Sequence, residues 1–173
     1  MKKPQINYAF IDGNNLHLTT KYLGWDLDYK KFRVYLSEHY GVGRAYYFIG
    51  YLPENVALYT ALQSYGYVLV FKPTLKIKGG RVKGNCDAEL VLQAMIDWKD
   101  YEKAVIVTSD GDFACLVEYL RRQNKLQCML APCRDRCSHL LKKAAQERIA
   151  FVDALKGKLE HIKRKEPYKD GTS

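Results

Sequence analysis

Carboxylates follow two apolar runs of the sequence, each time beside a glycine. The segment D-G-N-N begins at Asp12 after the first run, and S-D-G-D begins at Ser109 after a later one. A third acid, Asp87, follows a basic stretch. Carboxylates held close together repel one another unless a hard cation lies between them, and oxygen ligands suit Mg²⁺ or Mn²⁺. The pattern therefore predicts a metal site built from Asp12, Asp87, Asp110 and Asp112.

Each motif alone also has an ordinary structural explanation. Asp, Gly and Asn are common turn residues, and Gly13 is expected to permit a tight turn. Asp112 is placed to cap a following helix, and Asp87 lies where a helix N-terminus favours an acid. Two such loops in one chain favour the chemical explanation, with Asn14 as an added hydrogen-bonding group.

Apolar runs alternate with helical patterns along most of the chain. Strands are expected at residues 6–11, 44–50, 67–71, 104–108, 126–130 and 149–152. Helices are expected at 29–40, 53–64, 87–98, 113–123 and 138–145, and a hairpin with a Gly-Gly turn between 72 and 83. This alternation predicts a three-layer α/β fold, a mostly parallel sheet with helices on both faces. Both acidic loops would converge if the first and fourth strands are neighbours.

Composition favours one domain with a polyanionic partner. Residues 1–155 are expected to form the domain, and the Lys-rich residues 156–173 a disordered tail. The 28 Lys and Arg against 19 Asp and Glu give a net charge of +9, which attracts polyanions. The cysteines lack C-x-x-C spacing, so structural zinc is not expected. Without a bilayer-spanning run or a signal-peptide pattern, a cytoplasmic location and no membrane partner are expected.

Basic side chains flank the acids in sequence. The expected phosphate contacts are Lys76, Lys78, Arg81, Lys83, Arg134 and Arg136. A solvated hairpin is the alternative for the first four. Tyr46, Tyr47 and Tyr51 are candidates for stacking on bases. His17 is interpreted as a structural or surface residue.

The ordered motifs resemble the NYN domain family. They are F-I-D-G-N-N from Phe10, K-G-N-C-D ending at Asp87 and T-S-D-G-D-F from Thr108. Over residues 6–152 the chain looks like the LabA-like branch of the PIN-like nucleases. The resemblance implies a PIN-like Rossmannoid sheet of order 3-2-1-4-5, a divalent metal and RNA cleavage. The residues that match the family's site are Asp12, Asp87 and Asp110 as metal-binding acids, Asp112 as a second acid, and Asn14 or Asn15 as its asparagine.

The resemblance implies a metal-dependent endoribonuclease that hydrolyses phosphodiester bonds, with single-stranded RNA as the expected substrate. One or two Mg²⁺ or Mn²⁺ ions held by Asp12, Asp87 and Asp110 would activate a water and offset charge in the transition state. Asp112 would orient a water or a second metal. Asn14 would hold a phosphate or a metal-bound water.

One residue departs from the family pattern, and it keeps other functions open. Family members often carry an acid at the position of Gln93, so a weak or inactive RNA-binding adaptor is an alternative. A phosphatase with Asp12 as nucleophile is a second one, disfavoured because Asn14 stands where its second acid belongs. The sequence leaves the oligomeric state open, a homodimer included.

Overall fold

The computed structural model describes residues 6–72, 75–76, 82–83 and 86–162 of the chain. Its strands, in chain order, are β1 (Ile6–Asp12), β2 (Val42–Gly50), β3 (Tyr67–Lys72), β4 (Leu75–Lys76), β5 (Val82–Lys83), β6 (Tyr101–Val107), β7 (Leu126–Ala131) and β8 (Ile149–Phe151). Its helices are α1 (Gly13–Tyr22), α2 (Tyr29–Tyr40), α3 (Val56–Ser64), α4 (Asp87–Ile96), α5 (Ala114–Arg122), α6 (His139–Ala145) and α7 (Lys156–Leu159). No helix within the described residues is long and apolar enough to cross a membrane.

Six strands form one parallel sheet in the order β3-β2-β1-β6-β7-β8. Counted within this sheet alone, the order is 3-2-1-4-5-6, so the predicted order is confirmed, with the short sixth strand at the edge. β4 and β5 pair antiparallel, as the predicted hairpin requires. The Gly-Gly turn of that hairpin lies outside the described residues.

Helices cover both faces of the sheet and make two separate cores. On one face, Leu16 of α1 and Leu36 of α2 pack over Ile11. On the other, Leu90 of α4 and Leu116 of α5 belong to the core that contains Phe10. Successive residues of a strand point to opposite faces, which is why adjacent β1 residues enter different cores. The predicted three-layer α/β fold is confirmed.

The segment after Asp12 is a helix, and its interpretation as a loop is wrong. Asp12 ends β1 and also caps α1, because its carboxylate accepts a hydrogen bond from the backbone nitrogen of Asn15. Few apolar side chains mark this helix in the sequence. Leu16 is fully buried, whereas Leu18 and Tyr22 are 65% and 59% exposed. Without an apolar stripe, α1 carries little of the periodicity from which helices are predicted.

The first part of the expected disordered tail packs on the domain. α7 follows a 3-10 turn at Asp153–Leu155, and Leu159 is buried among the residues of the α1–α2 core. The backbone nitrogen of Asp28 donates to the carbonyl of Leu159 at 2.8 Å. The buried Leu159 anchors this otherwise polar helix to the domain. Residues 163–173 lie outside the described residues.

Close packing explains the glycine at position 13. Its φ is not in the left-handed region, so the expected tight turn is not its reason. A Cβ at Gly13 would collide with the ring of Tyr47 and lie 2.7 Å from the carbonyl oxygen of Phe48. The hydroxyl of Tyr47 also donates to the Gly13 carbonyl at 3.3 Å. The start of α1 can approach β2 only without a side chain here.

We expect Gly13→Ala to lower the free energy of unfolding by about 1–3 kcal/mol, because the new methyl group overpacks a rigid backbone and ring. Urea denaturation measures the change. Gly157→Ala in α7 is the matched control, since a Cβ there meets nothing within 4 Å. Equal losses of stability in the two variants would contradict this explanation.

Candidate metal centre

The carboxyl ends of β1 and β6 lie side by side in the middle of the sheet. Ile11 pairs with Val107, so Asp12 and Thr108 follow on adjacent strands. The strand order reverses here, because the chain proceeds outward from β1 to β3 on one side and from β6 to β8 on the other. Residues beyond the strand ends at such a switch point line a crevice.

Carboxylates gather at this edge. Oxygen atoms of Asp87, Asp110 and Asp112 lie within 4.8 Å of one another. Asp87 is the first residue of α4, and the other two lie in the turn between β6 and α5. Asp12 adjoins them, since its charge interacts with those of Asp87 and Asp110. The fold thus brings together the four acids named from the sequence.

Thr108 connects two of these acids. Its hydroxyl donates to Asp12 Oδ2 at 3.1 Å and accepts from the backbone nitrogen of Asp110, also at 3.1 Å. Its side chain is fully buried, so both bonds are partly shielded from water. Sequence reasoning assigned no role to Thr108, because threonine at the end of a strand is ordinary.

Asn15 links the two acidic loops. Its backbone nitrogen donates to Asp12 Oδ1 at 3.1 Å, while its side-chain oxygen accepts from the backbone nitrogen of Ser109 at 2.8 Å. The side chain therefore holds the end of β6 against the start of α1. Asn14 is exposed at the start of α1, beside the acids. Asn15 therefore has a structural role at the junction of the two loops.

Asp110, and not Asp112, is the capping residue of the second loop. Asp110 Oδ1 accepts from the backbone nitrogen of Asp112 at 3.0 Å, at the start of a 3-10 turn. The side chain of Asp112 is exposed and belongs to the acidic triad. Gly111 permits a close approach here too, since a Cβ would lie 2.5 Å from Ser138 Oγ.

Burial is the main reason for the raised pKa of Asp12. The pKa of its carboxyl is raised from the ordinary 3.8 to about 6, and desolvation is the largest cause. Hydrogen bonds from Asn15 and Thr108 lower the pKa, whereas the charges of Asp87 and Asp110 raise it further. A carboxylate in this position gains from a nearby cation, which offsets both the desolvation and the repulsion.

The donor set fits a divalent metal ion. Every candidate ligand is a carboxylate oxygen, the type that Mg²⁺ and Mn²⁺ prefer. Beside Asp110, the buried Ser109 Oγ has no hydrogen-bond partner within the described part of the chain. A buried polar atom without a partner is frequently satisfied by a water or an ion.

Gln93 belongs to a hydrogen-bonded cluster around the buried Asp97. Its side-chain nitrogen donates to Asp97 Oδ1 at 3.0 Å, and the hydroxyl of Tyr46 donates to Asp97 Oδ2 at 2.7 Å. Asp97 is only 7% exposed, so an acid at position 93 would set a second carboxylate against a buried one. Gln93 is therefore a hydrogen-bond partner of a buried carboxylate.

The predicted phosphate contacts are only partly described. β4 includes Lys76 and β5 includes Lys83. Their side chains, and all of Lys78 and Arg81, lie outside the described residues. Arg134 and Arg136 are exposed in the loop that follows β7, at the same edge of the sheet as the acids. Lys72, at the end of β3, is ion-paired with Glu89 at 3.2 Å.

Two of the tyrosines proposed for base stacking are in the cores. Tyr46 and Tyr47 are 7% and 1% exposed, so their rings cannot reach a nucleic acid and that interpretation is wrong. They are adjacent residues of β2, so Tyr46 enters the core on one face of the sheet and Tyr47 the core on the other. Tyr51 is exposed just beyond the end of that strand. His17 is partly buried on α1, and desolvation followed by the charge of Lys21 lowers its pKa.

Comparisons with known proteins agree with this architecture. The family model described as the NYN domain matches residues 8–153. The low amplitude and bright protein LabA of Synechococcus elongatus is 27% identical over 129 residues, which cover 69% of each chain. The crystal structure of a Vibrio parahaemolyticus protein of unknown function has the same fold, with a TM-score of 0.73 and 23% identity, over 93% of this chain and all of that one.

In metal-free protein, we expect Asp12→Asn to be more stable than the wild type near neutral pH. The wild type loses stability as the pH rises from about 4 to about 6, since the folded state binds the Asp12 proton more tightly than the unfolded state. The loss is at most about 3 kcal/mol, the equivalent of two pKa units. Urea denaturation in EDTA across this pH range measures the free energy of unfolding of both proteins. A difference between them that stays constant with pH would contradict the explanation.

Proposed function

The chain belongs to the NYN domain family, in its LabA-like branch, and on this premise we propose that it is a divalent-metal-dependent endoribonuclease. The family is part of the PIN-like nuclease superfamily. The proposed reaction is hydrolysis of phosphodiester bonds in single-stranded RNA, with Mg²⁺ or Mn²⁺ at the acidic site. The observation that carries the proposal is the meeting of Asp87, Asp110 and Asp112 beside the buried Asp12.

Each acid has a distinct part in the proposed site. Asp12, Asp87 and Asp110 would hold the cation, and the cation would supply Lewis-acid activation of water and offset negative charge on the phosphate. Asp112 is exposed at the rim, where its carboxylate can orient a water molecule. Asn14, exposed in the first turn of α1, can donate to a phosphate oxygen.

Thr108 and Asn15 are positioning residues in this scheme. They keep the Asp12 carboxylate in one orientation through hydrogen bonds to its two oxygens. A cation site depends on such outer hydrogen bonds, because they orient the ligand oxygens before the ion binds. The net charge of +9 supports a polyanionic substrate, because the 28 basic side chains outnumber the 19 acidic ones over the chain as a whole.

The adaptor alternative keeps its argument, because the hydrogen bond from Gln93 to Asp97 does not supply the acid that position 93 lacks. The phosphatase alternative needs a second acid two residues beyond Asp12, where Asn14 stands.

We expect the purified protein to hydrolyse single-stranded RNA in Mn²⁺, to lose the activity in EDTA and to regain it when Mn²⁺ is added back. Asp12→Asn and Asp110→Asn should lower kcat by about 10²-fold or more, because each removes a charge that holds the cation. Cleavage of a labelled RNA resolved on a gel gives the rates.

Asp100→Asn is the control, because Asp100 is exposed beside the amino end of β6, at the opposite edge of the sheet. Full activity in Asp12→Asn would refute the proposed site. Turnover of small phosphate monoesters without RNA cleavage would favour the phosphatase.

Calorimetric titration with Mn²⁺ separates the nuclease from the adaptor. We expect binding at pH 7.5 that weakens about tenfold for each pH unit below about 6, because protons compete with the cation for Asp12. Asp110→Asn should lower the affinity at every pH. Intact RNA binding with no heat of Mn²⁺ binding would instead identify an adaptor.

A further inference from the structure

We propose that the exposed face of α1 is a nucleobase track, which leads single-stranded RNA from the acidic notch to a stacking platform formed by Tyr22 and Arg136. This proposal rests on the proposed function and specifies where its single-stranded substrate binds beyond the acidic site. Nucleic acids that are single-stranded present bases that aromatic and guanidinium planes can stack on.

The face of α1 that points to solvent carries two large apolar side chains, Leu18 and Tyr22. Asn14, Leu18 and Tyr22 follow one another at intervals of four residues, so they lie in one line along the helix. Leu18 is 65% exposed and Tyr22 59% exposed. A large aromatic and a leucine in one solvent-facing row contribute nothing to the cores, and such rows mark binding surfaces.

The row begins at the acidic site. α1 starts directly after Asp12, and Asn14 is in its first turn. The far end of α1 lies at the loop after β7, since Arg136 of that loop contacts the ring of Tyr22. The next helix, α2, returns along the sheet, from the hydroxyl of Tyr29 near Tyr47 to the carbonyl of Tyr40 near the start of β1.

Tyr22 ends the row beneath a guanidinium group. The Arg136 Cζ atom lies 3.6 Å from the centroid of the Tyr22 ring, a stacked cation–π contact. Arg136 belongs to the loop after β7, and this loop is tied to the site because Ser138 donates its backbone N–H to the carbonyl of Ser109 at 3.1 Å. Loop and helix are therefore held together at the same edge.

The platform has groups that suit both the base and the phosphate backbone of a nucleotide. Its planar groups can stack on a base, while the charge of Arg136 and that of the exposed Lys21 attract the backbone. Asn14 and Tyr22 are eight helical rises apart, a span of about 12 Å, roughly the length of two to three nucleotides. A base two to three positions from the cleaved bond would therefore reach the platform.

The test compares Tyr22→Ala, Tyr22→Phe and Arg136→Ala with the wild type. Fluorescence anisotropy in EDTA gives the Kd for a labelled single-stranded RNA and for a blunt RNA duplex. Tyr22→Ala should bind the single strand about tenfold more weakly, whereas Tyr22→Phe keeps the aromatic ring and should match the wild type. Binding of the duplex should not change, because its bases are already stacked.

Tyr65→Ala is the matched control, an exposed tyrosine at the end of α3, just before the amino end of β3. In Mn²⁺, Tyr22→Ala should raise KM about tenfold with kcat unchanged. One abasic nucleotide two to three positions from the cleaved bond should weaken binding to the wild type but not to Tyr22→Ala. Melting temperatures verify that each variant is folded.

An unchanged Kd in Tyr22→Ala, or an equal loss for single strand and duplex, would overturn the track. The two proposals fail separately. RNA cleavage with an unchanged KM in Tyr22→Ala removes the track alone. Binding of the single strand that depends on Tyr22, without any cleavage in Mn²⁺, removes the nuclease and leaves the track.

Discussion

The parallel pairing of β1 with β6 is the constraint on which the rest of this molecule depends. It places two strand ends next to each other at the point where the strand order reverses, and an acidic residue follows each of them. The Thr108 hydroxyl then joins the two ends, through Asp12 on one side and Asp110 on the other. If these strands were separated by one place in the sheet, about 5 Å of added distance would leave the carboxylates without a common site.

Holding the acids together opposes the stability of the metal-free fold. Asp12 is desolvated and lies beside two other carboxylates, which is why its pKa rises to about 6. The hydrogen bonds from Asn15 and Thr108 only partly offset this effect. Strain of this kind is typical of a site that is completed by a ligand, because binding to the folded state alone recovers the lost free energy.

Asp12 serves three purposes within one residue. It ends β1, it caps α1 through the backbone nitrogen of Asn15, and it contributes a carboxylate to the acidic group. The helix that it caps therefore begins at the acidic site. This coupling gives the exposed row on α1 a defined origin at the acids, and the close approach at Gly13 keeps the first turn against Tyr47.

Local patterns in the sequence determined the strands, most of the helices and the identity of the four acids. Apolar runs of β length mark the six sheet strands, and a carboxylate beside a glycine after a strand can be recognised without a structure. Three-dimensional packing decided the rest. The side chains of Thr108 and Asn15 act across pairs of residues more than 90 positions apart in sequence, and no local pattern records such contacts. Gly13 and Gly111 are required by the groups that face them, Tyr47 and Ser138, and not by their own φ angles. Whether Tyr46 lies in the core or on the surface likewise depended on both faces of the sheet being covered.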